Sequence, residues 1–93
     1  MNYIKVKWVH NFADEPIWLY GELDAERWEV RKVEIFPDGS YGYASKSNAV
    51  RDTQLGLLQT PSNEEIAKGS QFEVFEIAKV EFEEVWLKAI SNS

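Results

Sequence analysis

The sequence predicts an α+β fold: a four-stranded antiparallel meander sheet, with a short helix and a C-terminal amphipathic helix packed on one face. Three observations carry this. Arg27 to Ala44 reads as two strands joined by a turn at Pro37-Asp38-Gly39. Tyr3 to His10 alternates apolar and polar residues. Phe82, Val85, Trp86, Ala89 and Ile90 fall at helical spacing and form one apolar stripe.

In the first expected strand, Tyr3 to His10, Ile4, Val6 and Trp8 share one face and Lys5 and Lys7 the other. Asn11 to Pro16 is a loop. Ile17 to Leu23 is the second strand, with Ile17, Leu19 and Leu23 on one face and Trp18, Tyr20 and Glu22 on the other. Asp24 to Glu26 turns the chain into the central hairpin. There Trp28 and Val30 share a parity that Val33 and Ile35 do not. A bulge near Arg31-Lys32 explains the change; a strand apolar on opposite faces in its two halves is the alternative. At the turn, Pro37 fixes φ, Asp38 can bond its own backbone, and Gly39 accepts a positive φ. Ser40 to Ala44 is the fourth strand.

Lys46 to Gln54 is polar and reads as a loop. Leu55 to Thr60 is apolar but short, placed either across the core or at a sheet edge. Ser62 and Glu65 fit a capping box that opens a short helix, which Gly69 ends. Gln71 to Ile77 is readable as a strand or as an extended lead-in. The last helix, Lys79 to Ile90, places Lys79/Glu83 and Glu84/Lys88 at i,i+4. Its stripe is expected to cover the sheet face of Ile4, Val6, Trp8, Ile17 and Leu19.

The chain of 93 residues, without internal repeat or linker, predicts one domain over 1–93. The absence of Cys excludes disulfides and thiolate chemistry. No segment approaches the ~20 apolar residues of a membrane span and no signal peptide is visible, which predicts a cytoplasmic protein. Net charge is −6. Residues 1–60 hold nine acids and seven bases (−2), and residues 61–93 hold seven acids and three bases (−4). This balance disfavours nucleic acid and anionic membranes, and it suits either simple solubility or a basic protein partner.

Catalytic signals are weak. His10 is the one histidine; with Asp14 and Glu15 it could form a metal site or an acid/base pair, but a strand-end histidine bonded to its loop is the plainer reading. Neither phosphate-binding glycine loops nor a G-x-S-x-G elbow occurs. No catalytic residue, metal ligand or cofactor is expected. Glu81, Glu83 and Glu84 read as the solvated face of the last helix, or as a contact for a cationic partner. If the helix covers Ile17 and Leu19, then Trp18 and Tyr20, joined by Tyr41 and Tyr43, lie on an open sheet face framed by Lys5, Lys7, Lys32 and Glu34. Such a face could bind a ligand or partner, stabilise the sheet by cross-strand contacts, or form a homodimer. The candidate binding residues are therefore Trp18, Tyr20, Tyr41, Tyr43, Glu81 and Glu84.

The runs YIKVKWVH, DEP, LYGELD, ERWEVRKVEIFPDGSYGYAS and the closing EFEEVW resemble a small bacterial family of proteins with a domain of unknown function. The resemblance is densest from Tyr3 to Ser45. It implies a stand-alone bacterial domain and carries no activity or site residue. Three functions follow as expectations: a non-catalytic protein-binding module, such as an immunity or antitoxin-type inhibitor; a small-molecule-binding or regulatory domain using the aromatic face or a cleft beside the Lys46–Gln54 loop; and an enzyme built on His10 and nearby carboxylates.

Overall fold

A computed structural model describes residues 1–51 and 53–92. The order is β1 (Asn2–Trp8), β2 (Trp18–Leu23), β3 (Glu29–Ile35), β4 (Tyr41–Ala44), β5 (Ala49–Val50), α1 (Asn63–Ala67), β6 (Phe72–Glu76) and α2 (Lys79–Ser91). The fold is α+β with an antiparallel sheet and a C-terminal helix, but the sheet has six strands rather than four, in the order β5-β4-β3-β2-β1-β6. The expected meander forms its centre. The two added strands are the short pair Ala49–Val50, inside the stretch read as a loop, and Phe72–Glu76, the segment left ambiguous. Asp52, in that same loop stretch, lies outside the described residues.

The hairpin turn forms where Pro37-Asp38-Gly39 places it. Gly39 has φ 84°, and Asp38 Oδ1 accepts from the Ser40 N–H and hydroxyl at 3.0 and 2.6 Å. The register shift falls where Glu22 pairs with Arg31 and Leu23 with Glu29, so Val30 is the extra residue. The bulge thus sits one residue before Arg31. It turns Val33 and Ile35 onto the face of Trp18 and Tyr20: Tyr20 opposes Val33, Trp18 opposes Ile35, and Tyr43 and Tyr41 follow on β4.

The four aromatics therefore share a face, as expected, but it is the face that α2 covers. Val85 and Ala89 bury against Val33, with Tyr20, Ile35, Tyr41, Tyr43 and Trp86 packed around them. The expected pairing of α2 with the face of Ile4, Val6, Trp8, Ile17 and Leu19 is overturned. The reason is visible along β3 and β4. On the Ile4 face these strands offer Lys32, Glu34, Gly42 and Ala44, too little apolar volume to bury a helix stripe. The other face offers Val33, Ile35 and two tyrosines.

On the Ile4 face lie α1 and an irregular strap, residues 53–60. Thr53, almost wholly buried, packs against Gly42 and donates to Glu34 Oε1 at 2.7 Å. Lys32 Nζ donates to the Gln54 carbonyl at 3.0 Å. Leu55 to Thr60 thus crosses the sheet face without joining the ladder. Arg27, in a left-handed conformation at φ 68°, ties the end of the strap down. Its guanidinium donates to the carbonyls of Thr60 and Pro61 and to Asn63 Oδ1. Ser62 caps α1 through the Glu65 N–H, as its spacing predicts. Among the described residues, no helix is long and apolar enough to cross a membrane.

Candidate functional site

Each residue singled out from the sequence has a definite place. Tyr20, Tyr41 and Tyr43 are half-buried under α2, with the Tyr43 ring edge-on to Trp86 at 5.3 Å. Burial raises the Tyr20 phenol above its ordinary value. Trp18 carries Lys5 and Lys7 over its ring at 5.4 and 5.9 Å. Lys5 and Lys7 do frame the patch, whereas Lys32 and Glu34 belong to the opposite face. The aromatic surface is thus mostly core, and a ligand site built on all four residues loses its premise of an open face.

The acidic residues of α2 divide. Glu84 is exposed, but Glu81 and Glu83 turn toward the sheet. Glu81 accepts from Lys5 Nζ at 3.1 Å, a bond that raises the Lys5 ammonium above its ordinary value. Glu83 meets Arg31 Nη1 at 2.7 Å in place of the expected i,i+4 partner Lys79. Arg31 also forms a bidentate pair with Glu22, at 2.6 and 3.0 Å, and Tyr3 donates to the same carboxylate at 2.9 Å. Glu22 is only 6% exposed. The Arg31 bonds hold its carboxyl below the usual range, and they keep Arg31 charged more firmly than usual. Burial, aided by Glu22, raises the Tyr3 phenol. With Arg31 lying over Phe82 and Trp86 at 5.0 and 5.1 Å, this network is the polar fastening of α2 to the sheet.

His10 is engaged by its own loop. Nδ1 accepts from the Phe12 N–H at 2.9 Å, so Nε2 carries the proton and donates to the Pro16 carbonyl at 2.8 Å. This is the strand-end arrangement expected as the plainer reading. Asp14 and Glu15 line a polar hollow with Glu34, Phe36 and Arg51. Among the described residues, no three of His, Asp and Glu gather closely enough to hold a metal ion.

A second concavity is apolar. Between the sheet and α1 lies a trough of about 200 Å³. Its floor is Ile4, Val6, Leu19, Gly21 and Leu23; Ile66 and Phe72 form one wall. At the other side stand Thr60 and the Glu29–Lys32 ion pair at 3.0 Å, with Glu29 also accepting from the Gly56 N–H. Gly21 leaves the floor open: a Cβ there would meet only Ile4 and Leu23 side chains at 3.7 Å. Beyond Gly56 the strap presents Leu57 and Leu58, 91% and 80% exposed.

A concave apolar surface with a few fixed polar groups and two exposed leucines on its bordering strap can hold an apolar side chain or a small apolar ligand. Sequence reasoning missed it because its floor comes from strands read as helix-covered, and Thr60 and Phe72 in its walls come from segments whose structure was left open. Two signals were present: a glycine inside an apolar strand, Gly21, and the unpatterned apolar run LGLLQT.

A family model described as Domain of unknown function (DUF6881) matches residues 2–91, and the chain belongs to that family. No curated protein and no solved structure matches it.

Proposed function

We propose that this DUF6881 member is a non-catalytic binding module for a basic partner protein, and that the trough receives an apolar side chain of that partner. The observation that carries the reading is the pairing of an open apolar trough with the exposed Leu57-Leu58 on one side of the molecule. Exposed leucines beside an unfilled hollow form an apolar patch of the kind that marks a contact surface. Of the acids in segment 53–76, which supplies strap, α1 and β6, Glu64, Glu65 and Glu76 stand on the trough side with one base, Lys68, while Glu73 lies on the α2 face opposite Lys7. An acidic frame around an apolar centre favours a partner with the reverse pattern, an apolar side chain ringed by bases. An immunity-type inhibitor of a basic toxin is the concrete version of this reading.

The test uses a variant that fills the trough. Gly21→Leu adds a side chain where a Cβ makes ordinary contacts, and Leu57→Asp/Leu58→Asp changes groups that bury almost nothing. Wild type and both variants serve as baits for native lysate at low and high salt. A stoichiometric basic partner held by wild type and lost by both variants supports the proposal. Equal capture by all three, or none by wild type, refutes it. A midpoint shift of wild type alone with a small apolar compound, and no protein partner, would assign the trough to a small ligand.

A further inference from the structure

We propose that β6 is a docking edge for an extended basic segment of a partner protein, which would add a seventh strand to the sheet. The proposal rests on the reading of this protein as a partner-binding module, but on residues apart from the trough floor.

β6 is a terminal strand, paired on one side to β1. The bonds Val9 N–H to the Gln71 carbonyl and Ile77 N–H to the Tyr3 carbonyl fix its inward groups. By strand alternation, Gln71, Glu73, Phe75 and Ile77 bond toward β1, so Val74 and Glu76 turn their N–H and carbonyl groups outward. The Phe72 N–H is taken by the Gly69 carbonyl. Folded proteins blunt such edges with proline, lysine, bulges or extreme shortness. β6 has five residues, FEVFE, in unbroken register with β1, with neither proline nor lysine. The opposite edge, β5, has two residues.

Charge selects the occupant. β6 carries Glu73 and Glu76, and α1, which packs beside it, carries Glu64 and Glu65. The bases nearby are Lys68, paired to Glu65 at 3.2 Å; Lys7 and Lys5, opposite Glu73 and Phe75 across the ladder on the α2 face; and Arg27, bonded to Asn63. Glu76 Oε1 accepts from Asn63 Nδ2 at 3.5 Å. A second copy of this chain would bring acid against acid. Because alternate side chains of a strand share one face, a strand with Lys or Arg at alternate positions would set its bases on the α1 side against Glu76, with its other side chains beside Glu73 and the exposed Phe75.

The probe is a nine-residue peptide of alternating Lys and Thr, titrated into the isotope-labelled protein. Two controls share its length: one with alternate amides N-methylated, one with Glu replacing Lys. The Lys/Thr peptide is expected to slow hydrogen exchange at the Val74 and Glu76 amides roughly tenfold at ten times its dissociation constant. Both controls are expected to leave those amides unchanged. Equal binding of the N-methylated peptide, protection elsewhere, no protection at all, or a β6-mediated dimer would each overturn the proposal. The Gly21→Leu protein should still dock the peptide. Loss of the lysate partner with the peptide site intact would separate failure of the edge from failure of the trough.

Discussion

At Glu22 a carboxylate is buried against Arg31 and Tyr3, and its proton affinity follows from that. Its carboxyl titrates below its ordinary value of 4.5 in the folded protein. The charged form therefore adds stability above about pH 4.5, and that contribution is lost as pH falls through the lowered value. Glu22→Gln should lower the thermal midpoint most near neutral pH. The gap to wild type should close in acid; parallel midpoints across the range would show that the pair adds nothing. Two glycines give a contrast of a different kind. At Gly42 a Cβ would overlap the buried Thr53 hydroxyl and stand 3.1 Å from the Val50 carbonyl. Gly42→Ala should cost about 1–3 kcal/mol in denaturant unfolding. Gly21→Ala, facing the open trough, should be near neutral. If the two alanine variants unfold alike, the strap is not seated as described.

At the scale of elements, Phe82 is the largest side chain of α2 that is fully buried. Phe82→Ala should cost about 3–5 kcal/mol. That is comparable to the whole stability of many small domains, so a partly unfolded population should be visible by circular dichroism at room temperature. Element identity was legible in the sequence wherever a period was clean: Ile4/Val6 on β1, the Pro37-Asp38-Gly39 turn, the stripe of α2, the Ser62 cap. Which face α2 covers was not. Periodicity marks a face as apolar, but it does not compare the two faces. Here both carry apolar residues, and the choice went to the side where the Val30 bulge gathers Val33 and Ile35 beside three tyrosines. The strand β6 was hidden for another reason. Its parity changes between Val74 and Phe75, because one face meets the cluster of Ile4 and Val6 while Phe75 lies under the Lys5 ammonium. The trough was the least legible feature, since it exists only after three distant segments meet.

On the scale of the whole molecule, the layers are α2, the sheet, then the strap with α1. β1 is an interior strand although it opens the order of elements, and the partner on its far side comes from much later: Lys5 lies opposite Phe75. The Trp8 N–H bonds to Ile17 and the Val9 N–H to Gln71, so even-numbered amides of β1 point to β2 and odd-numbered ones to β6. The same strand is thus bonded on one side by a neighbour 11 to 21 positions away and on the other across 64 to 72. During refolding, or as the chain leaves a ribosome, the hairpin side closes over a short loop and the other must await a long one. Pulse-labelled hydrogen exchange should find the Val6 amide protected before those of Lys5 and Lys7. Simultaneous protection would mean the sheet closes in one step. The alternate amides of β1 therefore act as a clock, separating local from long-range assembly within seven residues.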